Sequence, residues 1–222
     1  MKATLIDFMG SDLTVVNAAR VSFGKKRAVF DPIKDARLIR YLAENDHISP
    51  FGHCFASFHV HAPVFVARQL VKHKFLRWNE VSRRYVTSIP SLMELDRDSW
   101  RKQSPDKKQG SDGDSKAFVP AELQHAIHNT YLQSLQCYKE LLEEGVAAEQ
   151  ARMVLPQSMM TEWYWSGSLD AWANMCLLRT DKHAQQESQA IALEISDALQ
   201  DIYPYSWQAL VTRKTQISDK EA

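Results

Sequence analysis

The joint at Pro63 constrains the architecture of this chain most. Residues 54–62, CFASFHVHA, carry the aromatic and β-branched content of a strand. Pro63 follows without a loop, and its fixed φ and missing N–H suit the first turn of a helix. The spacing predicts that helix to about Lys74, with Arg68 and Lys72 sharing one face and Gln69 and His73 another, feeding a polar loop over Arg77 to Tyr85. Similar signals recur along the chain. ATLIDF (3–8) reads as a strand, and Ser11 or Asp12 can cap a helix through about Arg20. Ile33, Ala36, Ile39 and Leu42 predict a helix over 33–45, and HISPFGH (47–53) is a turn broken by Pro50 and Gly52.

Pro120 opens a long amphipathic helix to about Glu144, striped by Ile127, Tyr131, Leu135, Tyr138 and Leu142, which suits core or a subunit interface. Gly145 stops it, and the short helix AAEQARMVL ends at Pro156. WYWSGS (163–168) is a strand or extended turn, and Leu169–Leu210 reads as mostly helical until Pro204. Helices outnumber strands, which places the chain in the α/β or α+β class. Residues 95–117, rich in charge, Ser and Gly, read as an exposed, mobile loop within a single domain over 1–222.

Charge is balanced overall, 27 Lys and Arg against 27 Asp and Glu, which argues against a general nucleic-acid or membrane-surface binder. The three cysteines are far apart, with no CxxC, so a disulfide framework is not expected and a reducing cytoplasm fits. No signal-peptide pattern opens the sequence, and no stretch approaches the roughly 18 apolar residues of a membrane span.

Against this neutral background the run Arg68–Tyr85, RQLVKHKFLRWNEVSRRY, stands out. It has six Lys or Arg, plus His73, and one acid, Glu80. Planar hydrogen-bonding groups, Gln69, Asn79, Glu80 and Ser82, are interleaved with the cations. Cations bind anions and planar groups read heterocycle edges, so the matching ligand is a phosphorylated heterocycle, a nucleotide or nucleotide-like cofactor. A solvated helix face or a nucleic-acid patch is the plainer explanation. No GxGxxG and no GxxxxGK[ST] supports a nucleotide site of either familiar kind.

Three chemistries compete. Metal binding is weak: His59 with His61, His125 with His128, and His183 with Glu187 lack a third ligand at a telling spacing. Nucleophilic catalysis is weak too. His53 and Cys54 point to opposite strand faces, Cys176 reads as core, and Ser82 has no His–Asp relay beside it. Electrostatic catalysis suits the sequence best. Arg152 (ARMVLP) and Arg179 (LLRTDKHAQQE) lie in mainly apolar segments, where an arginine answers either an internal carboxylate or a ligand anion.

Lys72-His73-Lys74, seven residues, then Ser82 resembles the Arg-His-Arg, seven residues, Ser signature of the flavin-dependent thymidylate synthases. ARQ (67–69), NEVS (79–82) and RY (84–85) flank it as in that family. AARVSF (18–23), HISPFGH (47–53), ARMVLP (151–156) and LRTDKHAQQE (178–187) resemble further family blocks in the same order. The resemblance implies the family's fold, helix-rich with a small, mainly antiparallel sheet. It implies conversion of dUMP to dTMP, with methylenetetrahydrofolate as carbon donor and NADPH as reductant through FAD, in a cytoplasmic homotetramer with no membrane or nucleic-acid partner.

By similarity Ser49, Lys72, His73, Lys74, Glu80, Ser168, Leu169, Asp170 and Asn174 contact FAD. The dUMP site takes Gln69, Leu70, Val71, Lys72, Glu80, Val81, Ser82, Arg83, Arg84, Arg152 and Arg179. Arg179 matches the arginine that polarises the pyrimidine, and His47 a histidine near flavin and folate. Ser82, counted with these two as catalytic, is read as a positioning group. Four features depart from the family pattern. Lysines stand at 72 and 74, which keep charge but lose the bidentate fork. Asp170 stands where a cation would suit a cofactor phosphate, Gly52 replaces an acid of the HxSPFEH block, and Arg83 replaces a small residue. The alternatives are a related flavin enzyme acting on dCMP or transferring hydroxymethyl, and a non-catalytic nucleotide or RNA binder.

Overall fold

The structure, a computed structural model, describes residues 1–105 and 110–213. In chain order the elements are β1 (Lys2–Met9), α1 (Asp12–Arg20), α2 (Lys34–Glu44), β2 (Phe55–Pro63), α3 (Val64–Leu70) and β3 (Leu76–Glu80). Then come β4 (Arg101–Gln103), β5 (Ser111–Lys116), α4 (Ala121–Glu143), α5 (Ala148–Ala151), β6 (Met160–Ser168), α6 (Leu169–Arg179), α7 (Gln186–Ile202) and α8 (Pro204–Thr212). The expected fold class holds: helices dominate and the sheets are small and antiparallel.

The chain divides into two compact units. One takes residues 61–71 and 80–163, the other residues 2–60, 72–79 and 164 onward.

The second unit carries most of the four-stranded sheet, in the order β1-β2-β6-β3. Alternation drives it. Along β6, Trp163, Trp165 and Gly167 are buried while Tyr164 is exposed; in β2, Ala56, Phe58 and Val60 are buried. Phe58, Trp172 and Trp165 stack edge-to-face with centroids 5.1 and 5.0 Å apart, and Trp172 Nε1 donates to the Ala56 carbonyl. Burying these rings supplies much of the unit's driving force. Gly167 is required by close approach, since any Cβ there would overlap the Leu76 side chain on β3. α1 starts at Ser11, whose N–H donates to Thr14 Oγ1. Buried Asp12 accepts from the N–H groups of Tyr205 and Ser206 and so caps α8, which explains why Pro204 opens a helix and does not end the structure.

In the first unit α4 packs Tyr138 completely, while Leu123 and Leu132 stay about half exposed. Ser134 Oγ donates to the Val154 carbonyl and ties α4 to the turn after α5. β4 and β5 pair antiparallel, Arg101 opposite Lys116 and Gln103 opposite Ser111. The segment 95–117 therefore contains a small hairpin that its charged, Ser- and Gly-rich composition does not announce. Residues 106–109 of that segment lie outside the described residues.

Two boundaries differ from expectation. α3 stops at Leu70, four residues short of Lys74, so Lys72, His73 and Lys74 follow the helix and do not lie on it. Phe75 then adopts φ 67°, and the chain re-enters the sheet as β3, where a polar loop was expected from Arg77. The left-handed Phe75 turns the chain from the segment after α3 into β3, and the apolar Leu76 and Trp78 give β3 its inner face. Among the described residues no helix is long and apolar enough to cross a membrane.

Candidate active site

In the first unit the end of β3 and the turn beyond it form one wall of a cavity of about 710 Å³. Glu80, Val81, Ser82, Arg83 and Arg84 line it from that side, and Arg68 from α3 and Arg152 from the turn after α5 complete a cluster of four guanidinium groups. The local fold explains the convergence. Val81 N–H donates to the Glu162 carbonyl, which extends the β3–β6 pairing, and the N–H groups of Tyr85 and Val86 both donate to the Ser82 carbonyl, which turns the chain. The cations are not consumed by carboxylates. Arg83 Nη1 donates to the Ser88 carbonyl at 2.6 Å, Arg152 Nε donates to the Glu149 carbonyl, and Arg84 stacks over Tyr85. Among the described residues none of the four guanidiniums forms an ion pair, and the Arg83 Nε is buried without a partner. Four arginines facing a cavity with two carboxylates, Glu80 and Glu149, suit a dianion such as a phosphate monoester.

Glu80 is held in place: its Oε1 accepts the hydroxyl of Thr161 at 2.9 Å, and Thr161 is 4% exposed. Ser82 Oγ accepts the Arg84 N–H at 3.3 Å and also lines the cavity, a geometry for positioning and not for attack. Gln69, Leu70 and Val71 are not on this wall; Leu70 is wholly buried, so its side chain belongs to the core.

The second unit collects the other residues. Lys72 and Lys74 are exposed and have no ion-pair partner among the described residues. His73 between them is half-buried, and its Nε2 accepts the Nε–H of Arg179 at 2.9 Å. Burial, and then the neighbouring guanidinium, push the His73 pKa down to about 4. His73 is therefore a neutral acceptor at pH 7. Burial also lowers the Arg179 pKa.

Ser168 stands at the N-cap position of α6 without a side-chain capping bond, and the Leu169 N–H donates to the Cys54 carbonyl while the Leu169 side chain is fully buried. Exposed Asn174 accepts from Arg213 Nη2, and Arg213 also pairs with Asp46, next to exposed His47. Asp170 Oδ1 is buried with no hydrogen-bond partner, and a Cβ on Gly52 would lie 3.8 Å from it. An acid at 52 would set two carboxylates side by side, so Gly52 and Asp170 are one coupled departure from the family pattern.

Two free ammonium groups, Lys72 and Lys74, with the start of α6 in the same unit, fit the pyrophosphate of a flavin dinucleotide. Neither Cys54 nor Cys176 fits a nucleophile: both are buried, and desolvation raises the Cys54 thiol to about 12 and the Cys176 thiol further. Thr161 and Arg68 were not among the site residues expected from sequence. The alternation TEWYW, extended one step upstream of Trp163, places Thr161 on the buried face; Arg68 was visible in the basic run.

The arginine-lined cavity suits a phosphorylated ligand. Comparison makes the class specific. The model of the thymidylate synthase complementing protein family matches residues 4–205. A flavin-dependent thymidylate synthase of Thermosipho africanus is 40% identical over 211 residues, covering 93% of this chain and 89% of its own. One from Kosmotoga olearia is 40% identical over 217 residues, covering 93% and 88%. The crystal structure of PolB from Streptomyces cacaoi, a UMP/dUMP methylase bound with 5-Br dUMP, superposes with a TM-score of 0.83 at 30% identity, covering 95% of this chain and 94% of PolB. The chain belongs to the flavin-dependent thymidylate synthase family, and with it to the methyltransferases.

Proposed function

We propose that the protein methylates dUMP reductively to dTMP, with FAD as cofactor, methylenetetrahydrofolate as carbon donor and NADPH as reductant. The observation that carries this reading is the cavity of about 710 Å³, lined by Arg68, Arg83, Arg84 and Arg152, which have no carboxylate partners among the described residues. These cations take the substrate phosphate. Glu80, oriented by Thr161, and Ser82 position the rest of the nucleotide. Pyrimidine C5 is a poor nucleophile, so charge must be stabilised at the ring carbonyl as C5 attacks carbon, and the Arg179 guanidinium supplies that stabilisation. Lys72 and Lys74 would hold the flavin phosphates as point charges, Ser49, Ser168, Asp170 and Asn174 would contact the same cofactor, and His47 would serve the flavin and folate. The flavin, when bound, supplies the hydride chemistry that side chains lack.

The chain acts as a single catalytic domain in the cytoplasm and assembles as a homotetramer. Purified protein should be yellow, or take up FAD, and should release tritium from 5-tritiated dUMP when given the folate donor and NADPH. A colourless protein that ignores both FAD and dUMP would refute the reading. Turnover of dCMP or UMP in preference to dUMP would replace the substrate and keep the chemistry.

A further inference from the structure

We propose that His73 is a positioning residue for Arg179: as a neutral imidazole it accepts the Nε–H of Arg179 and sets the plane in which that guanidinium meets the pyrimidine. The inference rests on the role given to Arg179 above. In sequence, His73 lies between two lysines and reads as a third cation for a cofactor phosphate. The geometry assigns it a different task. Its Nε2 lies 2.9 Å from Arg179 Nε. A guanidinium has only N–H donors, so the imidazole nitrogen must be the acceptor and the ring hydrogen must sit on Nδ1. Half-burial and the adjacent guanidinium both disfavour an imidazolium, which keeps the acceptor available at neutral pH.

The imidazole is itself anchored. Its centroid is 6.5 Å from that of Trp165, which is 1% exposed and stacks on fully buried Trp172. Trp172 stacks in turn on Phe58. Arg179 ends α6, on a long side chain with several rotatable bonds. The bond to a ring packed against the tryptophan stack sets the orientation of the planar head at Nε, and misplacement of such a group by about 1 Å costs roughly a hundredfold in rate. His73 thus acts through Arg179, and the charges offered to a flavin phosphate are Lys72 and Lys74.

Three full-length proteins loaded with FAD test this: wild type, His73→Leu and His73→Gln. The Gln amide oxygen can accept the Arg179 Nε–H and Leu cannot. With FAD retained by absorbance and melting temperatures matched, His73→Leu should lower kcat by about tenfold to a hundredfold with little change in the KM for NADPH. His73→Gln should recover most of that loss. Equal impairment in both variants, or FAD loss with normal kcat after reloading, would overturn the proposal. Nitrogen-15 NMR gives an independent reading. Nε2 of His73 should be unprotonated at pH 7, and its shift should change in Arg179→Ala; a protonated Nε2 would overturn the pairing. A wild type that loads FAD yet turns over no dUMP would sink the functional reading instead, and the nitrogen spectrum would still decide the pair.

Discussion

The two units use arginine in opposite ways. In the first, four guanidiniums line a cavity; Arg83 and Arg152 donate to backbone carbonyls and Arg84 stacks over a tyrosine ring. In the second, Arg179 is half-buried and locked onto a neutral histidine. Exposed, unpaired cations suit a ligand that brings its own full charge, such as a phosphate. A desolvated, oriented guanidinium suits a group whose charge appears only during reaction, because a preorganised donor costs no reorganisation at that moment. The contrast separates binding from turnover.

Four experiments sharpen or break that division. Arg179→Ala should lower kcat by about 10²- to 10³-fold, the usual cost of losing one preorganised donor, while FAD binding changes little. Loss of FAD in parallel would make Arg179 structural. Next, Arg152→Ala should raise the KM for dUMP by about tenfold to a hundredfold, the worth of a hydrogen bond to a charged group, with kcat nearly kept. A kcat effect without a KM effect would move Arg152 out of the binding role.

Third, His73 makes stability fall with acid. Its folded pKa, about 4, is below its unfolded 6.5, so between these values the unfolded chain binds the extra proton and stability rises with pH. The full shift corresponds to about 3 kcal/mol, and roughly half of that survives screening at a half-exposed site. Melting temperature should therefore drop between pH 7 and pH 5 in wild type and less in His73→Gln; identical slopes would contradict the neutral imidazole. Smallest, Lys72→Arg should tighten FAD about two- to fivefold by restoring a bidentate fork, read by flavin fluorescence; a weaker complex would mean that the lysine ammonium fits better.

Much of this was legible in the sequence because local rules sufficed. Pro63 and Pro120 stand at the starts of helices, Ser11 caps α1, and the alternation in CFASFHVHA is a strand. The basic run announced the cavity wall, since Val81 to Arg84 are contiguous there. What stayed hidden depended on distance in sequence. Thr161 meets Glu80 from 81 residues away, and the left-handed Phe75, which lies beyond the end of α3 at Leu70, has no local signal in a non-glycine residue. The pairing of His73 with Arg179 spans 106 residues, so a histidine flanked by lysines read as a cation until its partner was placed. The coupling of Gly52 with Asp170 was equally invisible, although both departures were seen singly.

The division of labour is tested most directly by binding dUMP and deoxyuridine to FAD-loaded wild type, Arg152→Ala and Arg179→Ala. The nucleotide's advantage over the nucleoside should shrink by about tenfold to a hundredfold in Arg152→Ala, with the three remaining arginines keeping the rest, and persist in Arg179→Ala. An equal loss of that advantage in both variants, or its undiminished survival in Arg152→Ala, would contradict the account.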